Sequence, residues 1–170
     1  EDFEQQLAWL KSNGFVSIST AQLEAYLYDN GPLPAKPVMI TFDDGYLSNY
    51  IYGYPLLSQY GFTAVIFSVT GKIGETPETF KPAQINMLDR ETMEKCAPVF
   101  EFASHTHNLH RATGTGHSAL TDADPATLEK DLSRLADILG HSSVNTARVY
   151  TMESGAVHAR QMERMGLVIT

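Results

Sequence analysis

Residues 38–45 read Val38-Met39-Ile40-Thr41-Phe42-Asp43-Asp44-Gly45, and residues 63–69 read Thr63-Ala64-Val65-Ile66-Phe67-Ser68-Val69. The first opens on an apolar run bounded by Pro37 and Gly45, and the second is apolar almost throughout, so both have the pattern of strands buried on two faces. Between them, Tyr50 to Tyr60 predicts a helix interrupted or started at Pro55, which makes the connection βαβ-like. Outward from this unit, Val99-Phe100-Glu101-Phe102-Ala103 predicts a third strand. Phe3, Leu7 and Leu10 predict a first helix that Gly14 stops. A second helix is expected over Ala21 to Tyr28, with Thr20 as N-cap, before Asn30-Gly31-Pro32-Leu33-Pro34 breaks the chain. Thr70 to Gln84 reads as a surface excursion and Asp89 to Lys95 as a short helix. Pro125 to Leu139 is expected to be a helix capped by Asp124, with Leu128, Leu132, Leu135 and Leu139 as its core stripe. Val149-Tyr150-Thr151 predicts a strand, Ala156 to Met165 a helix, and Leu167 to Thr170 a last strand. Elements of helix and strand period alternate along the whole chain, which predicts an α/β fold with a mainly parallel sheet.

Composition narrows what such a chain does. The 170 residues are 43% hydrophobic and 19% charged, enough for one domain around one core. No apolar run approaches the roughly 18 residues of a membrane span. Twelve Lys and Arg against twenty Asp and Glu give a net charge of −8, which disfavours a nucleic-acid partner. The single cysteine, Cys96, excludes an intramolecular disulfide framework and an all-cysteine zinc site, and is expected to be a packing residue. Glu1-Asp2-Phe3-Glu4 has neither the basic start nor the apolar stretch of a signal peptide, and Gly166 to Thr170 reads as the beginning of a strand. The expectation is one domain over residues 1–170, cut at both ends.

Parallel α/β proteins carry their chemistry at the carboxyl ends of strands. The first strand leaves through Asp43-Asp44-Gly45, where a turn at Gly45 would bring two adjacent carboxylates toward one cavity. The third leaves through Ser104-His105-Thr106-His107-Asn108-Leu109-His110, three imidazoles within six residues. Two imidazoles and an Asp oxygen make an open three-ligand site for zinc or a neighbouring transition metal. His105 and His110 converge if Asn108-Leu109 turns, whereas His105 and His107 already share one side of a strand. His117, His141 and His158 read as surface or hydrogen-bonded histidines.

Thr41-Phe42-Asp43-Asp44-Gly45, with Ser104-His105-Thr106 through His110, resembles the two leading motifs of the polysaccharide deacetylase family, also called the NodB-homology or carbohydrate esterase 4 group. Phe3 to Leu7, Leu33 to Val38, Gly45-Tyr46 with Ser48-Asn49-Tyr50, and Phe100 to Ala103 are similar to its branch acting on poly-β-1,6-N-acetylglucosamine of biofilms. The resemblance covers most of residues 3 to 140. It implies a distorted (β/α) barrel of about seven strands. It also implies Asp44, His105 and His110 as ligands of one divalent metal ion, zinc ahead of cobalt, nickel or iron, and Asp43 as catalytic base. The choice of His110 over His107 rests on the resemblance alone. Tyr46 and Tyr150 are the candidate substrate-binding side chains.

The implied activity is hydrolysis of N-acetyl groups. A divalent cation lowers the pKa of water from about 15.7 to near 7, which supplies hydroxide at neutral pH. Two departures from the family stand out. No histidine precedes His105 to serve as the acid of the biofilm branch, and Val149 to Gly155 replaces the family's Pro-aromatic-Gly turn. Arg148 does not align cleanly with the arginine that orients the base in many members. The alternatives are the same reaction on peptidoglycan or chitin-like β-1,4 polymers, and a non-catalytic carbohydrate-binding module that retains the metal site. The substrate class implies a location outside the cytoplasm.

Overall fold

The computed structural model describes residues 2–114 and 116–131. Helix α1 (Asp2–Ser12) buries Leu7 completely and ends where the chain turns left-handed at Gly14, with the Phe15 N–H donating to the Leu10 carbonyl. Strand β1 (Val16–Ser17) leads into α2 (Thr20–Asp29). The cap of α2 is Ser19, not Thr20. Its hydroxyl accepts from the Gln22 N–H while the Gln22 side chain accepts from the Ser19 N–H, a reciprocal capping box that outcompetes the neighbouring threonine.

The expected strand over Val38 to Phe42 is two strands in two sheets. Strand β2 (Pro37–Val38) pairs in parallel with β1, whereas β3 (Thr41–Asp44) pairs in parallel with β4 (Ala64–Ser68). Strand β5 (Phe100–Ser104) lies on the other side of β4, giving the order β3-β4-β5. Among the described strands, only β4 is buried at every position. Thr41 and Asp43 of β3 are exposed, because they alternate with Phe42, whose face of the strand packs against the core. The described strands form two parallel sheets and no closed barrel.

Between β3 and β4, a wide helical turn over Asn49–Gly53 runs into α3 (Tyr54–Tyr60), which starts with Pro55 in its first turn. Leu57 of α3, Leu7 of α1, Ile66 of β4 and Phe100 of β5 are at most 1% exposed and join one core on a single face of the sheet. Each such side chain contributes about 1.5–3 kcal/mol of burial free energy. Phe42 belongs to this face, edge-on to Phe3 at 5.8 Å and to Phe100 at 5.7 Å.

The excursion after β4 starts later than its sequence suggests. Thr70 is buried, in a short 3-10 turn over Thr70–Lys72, and only then does the chain run mostly exposed to Ile85, with Phe80 packed back against the core. It returns beside β3, where Tyr46 bridges Met87 and the Leu88 N–H donates to the Gly45 carbonyl. Helix α4 (Arg90–Cys96) is capped by buried Asp89, which accepts from both the N–H and the hydroxyl of Thr92. Cys96 is fully buried in the core, where burial pushes its thiol up to about 11. A short α5 (Ala119–Asp122) went unforeseen, and residues 125–131 are helical behind the Asp124 cap. Leu132, Leu135, Leu139 and the elements expected from Val149 onward lie outside the described residues.

Candidate metal centre

Parallel register sets Asp44, Ser68 and Ser104 side by side at the carboxyl ends of β3, β4 and β5. Adjacent strands lie about 4.8 Å apart, so the ends of β3 and β5 are separated by roughly 10 Å. Long side chains can close that gap because the middle strand ends in a small serine.

Asp44 leaves its strand through a γ-turn. Its φ is 67°, and the Gly45 N–H donates back to the Asp43 carbonyl at 2.9 Å, the rarer and more strained form of that turn. The turn therefore sits at Asp44 itself, one residue before the glycine expected to make it. Gly45 follows at φ 83°, and a Cβ there would lie 2.8 Å from Ser68 Oγ, so glycine is required on both counts. Phe42 faces the helices, so Asp43 lies on the opposite face of the strand, where it is exposed.

The histidine segment is folded by its own polar groups. The His105 N–H extends the β4–β5 ladder by donating to the Ser68 carbonyl at 2.8 Å. Thr106 then takes φ 71°, its N–H donating to Ser104 Oγ and its hydroxyl accepting from the Leu109 N–H. The chain bends at His107 and Asn108, Leu109 buries, and His110 returns over His105 with ring centroids 4.1 Å apart. His107 Nδ1 instead lies 3.0 Å from Thr70 Oγ1.

The result is a cluster of three groups. One ligand atom each from Asp44, His105 and His110 lies within 4.8 Å of the others; Asp43 and His107 are not in this group. Asp44 Oδ1 is 3.3 Å from His110 Nε2 and 3.9 Å from His105 Nε2. Although the first distance is short, the pair makes no hydrogen bond, and buried Oδ1 has no donor among the described residues. The other oxygen, Oδ2, accepts from the Tyr46 hydroxyl at 2.7 Å. That bond, followed by burial and the Asp44 charge, raises the Tyr46 phenol above its ordinary pKa, so it stays a donor.

A divalent cation fits these residues. Ligand atoms about 2.0–2.1 Å from a tetrahedral zinc lie roughly 3.4 Å from one another, close to the separations found. A buried carboxylate oxygen without a donor is an acceptor awaiting a positive partner. Two imidazoles and one carboxylate also leave coordination positions open. Tyr150, Arg148, His141, His158 and the altered turn over Val149 to Gly155 lie outside the described residues. His117 is exposed and 3.5 Å from Asp122.

Sequence reasoning missed the supports of this loop. Thr70 gave no signal, since its role comes from a register 37 residues distant. Asp131 did give one. It lies three residues after Leu128 and four before Leu135, a carboxylate on the apolar stripe of its helix, and it accepts from the N–H groups of His107 and Asn108 at 2.7 and 2.8 Å.

Fold and site together define an α/β protein in which one carboxylate and two imidazoles that could hold a metal ion meet across the carboxyl ends of parallel strands. The polysaccharide deacetylase model matches residues 30–167, and the chain belongs to that family. The poly-β-1,6-N-acetyl-D-glucosamine N-deacetylase of Staphylococcus aureus is 34% identical over 136 residues, covering 78% of this chain and 44% of the relative. Among solved structures, IcaB from Ammonifex degensii superposes with a TM-score of 0.69 at 20% identity, over 96% of this chain and 71% of that one. The Streptococcus pyogenes deacetylase PplD, in complex with acetate, gives 0.65 at 25% identity, over 83% and 58%. The chain thus spans under half the length of the curated relative.

Proposed function

We propose that this chain is a metal-dependent N-deacetylase of an N-acetylglucosamine polymer, with poly-β-1,6-N-acetylglucosamine as the first candidate. Asp44, His105 and His110 would hold one divalent cation, zinc ahead of cobalt, nickel or iron. The buried Asp44 Oδ1, without a donor among the described residues and facing two imidazoles, is the observation that carries this reading. When bound, such a cation acidifies water and polarises an acetyl carbonyl.

The chain's own residues supply the rest. Asp43, exposed and next in sequence to Asp44, accepts the proton of the attacking water as catalytic base. Tyr46 fixes the Asp44 carboxylate through Oδ2, leaving Oδ1 directed at the histidines. Tyr46 and Tyr150 are the proposed substrate contacts. The (β/α) barrel of about seven strands and a site of action outside the cytoplasm belong to the same proposal. Among the described residues, no helix is long and apolar enough to cross a membrane.

Elemental analysis of the purified chain, paired with acetate release from β-1,6- and β-1,4-linked N-acetylglucosamine oligomers, tests the reading. One equivalent of metal with acetate release from the β-1,6 oligomer is the expected result. Release from the β-1,4 oligomer alone would move the substrate to peptidoglycan or chitin-like polymers. Bound metal without acetate from either would leave a carbohydrate-binding module, and a metal-free, inactive chain would overturn the proposal.

A further inference from the structure

We infer that Asp131 is a positioning residue for the metal centre, acting through the backbone of the histidine loop; the inference rests on the metal reading above. The loop between His105 and His110 must present two imidazoles while its middle amides have no strand to pair with. Those amides converge on one carboxylate. The His107 N–H donates to Asp131 Oδ2 at 2.7 Å and the Asn108 N–H to Oδ1 at 2.8 Å, so both oxygens of a side chain only 9% exposed are engaged.

The convergence has a local cause. Thr106 is left-handed at φ 71°, and a left-handed residue before successive amides turns their N–H groups into a concavity that accepts an anion. Charge-assisted hydrogen bonds of this length are about twice as strong as neutral ones, which offsets the backbone strain at Thr106. The carboxylate comes from the helix over residues 125–131, whose start is fixed by Asp124 receiving the Thr127 N–H and hydroxyl. The distance from His105 to His110 is thereby set by a helix that contributes no ligand. Gly71 and Thr70 hold the opposite side of the loop, through the Gly71 N–H to the His107 carbonyl at 2.9 Å and Thr70 Oγ1 to His107 Nδ1.

A neutral amide cannot replace this carboxylate, because one of its two ends is itself a donor and would face an N–H. Asp131→Asn should therefore loosen the loop without changing size, whereas Asp131→Glu keeps the charge and restores part of the effect. Support shells of this kind are worth about 10–100-fold in metal affinity. The test is a cobalt(II) titration of the 170-residue chain, read by visible absorption, with zinc affinity from chelator competition. Circular dichroism and thermal unfolding of the metal-stripped proteins run alongside.

The expected result is at least a tenfold weaker affinity and an altered cobalt spectrum for Asp131→Asn, partial recovery for Asp131→Glu, and similar circular dichroism for all three. Unchanged affinity and spectrum in a folded Asp131→Asn would overturn the positioning role alone. A wild-type chain that binds neither metal would overturn the metal reading and this inference together. Should Asp131→Asn fail to fold, amide hydrogen exchange in the wild-type chain decides. Slow exchange at His107 and Asn108 supports the clamp, and exchange at the rate of an open loop removes it.

Discussion

Asp43 and Asp44 are the same residue type in adjacent positions, and their surroundings separate them. Asp44 carries the left-handed turn, a phenolic donor on one oxygen and two imidazoles before the other, whereas Asp43 is exposed and outside that group. Asp43→Asn is expected to retain the metal while turnover falls about 10²–10⁴-fold, the scale of a lost general base. Alanine at Asp44 or His110 should empty the site in elemental analysis, and alanine at His107 should leave its stoichiometry intact. Activity close to wild type in Asp43→Asn would remove the base. The residue types of this cluster were legible in the sequence, because carboxylates and imidazoles after parallel strands are rarely there for packing. The choice between His107 and His110 was not legible from spacing. It depends on a left-handed Thr106 and on Thr70, which arrives from another loop.

Legibility divides differently among the elements. The strand β4 and helices α1 and α4 follow from local pattern, since burial on every position or on one stripe is written in successive residues. The division of Val38 to Phe42 was hidden, because which partner each half takes, Ser17 for Val38 and Val65 for Thr41, is a non-local property. The Ser19 cap is legible in Ser19-Thr20-Ala21-Gln22, whose serine and glutamine stand at capping-box spacing. The turn after β4 makes a prediction of its own. A Cβ on Gly71 would fall 2.1 Å from Asn108 Oδ1 and 2.6 Å from the His107 carbonyl oxygen, too close to tolerate without moving the histidine loop. Gly71→Ala should weaken cobalt binding while leaving the sheet intact, read as a changed visible spectrum beside an unchanged far-ultraviolet circular dichroism. An unperturbed cobalt spectrum would show that the two loops move together without consequence.

At the scale of the whole molecule, one core joins α1, α3, α4 and the three-stranded sheet, and Cys96 reports on it. The folded thiol is raised by burial from its ordinary 9.0 to about 11, so the folded state holds a proton that the unfolded chain releases. Its contribution to stability is fully present below pH 9 and is lost as the pH climbs through 11. Denaturant unfolding between pH 8 and 11 should show this decline, and Cys96→Val should flatten it. Native protein at pH 8 should also resist a thiol reagent that reacts at once after unfolding.

The meeting of Asp44 with His105 and His110 above Ser68 has one more implication. A cation seated there is a removable stitch between distant parts of the chain, in a protein whose single cysteine cannot sew itself. Its strength is set by supply: an ion at a hundred times its dissociation constant adds about 2.7 kcal/mol. Chelation should therefore lower the melting temperature and let proteases enter at the loops after β3 and β5, making durability a gauge of the metal outside.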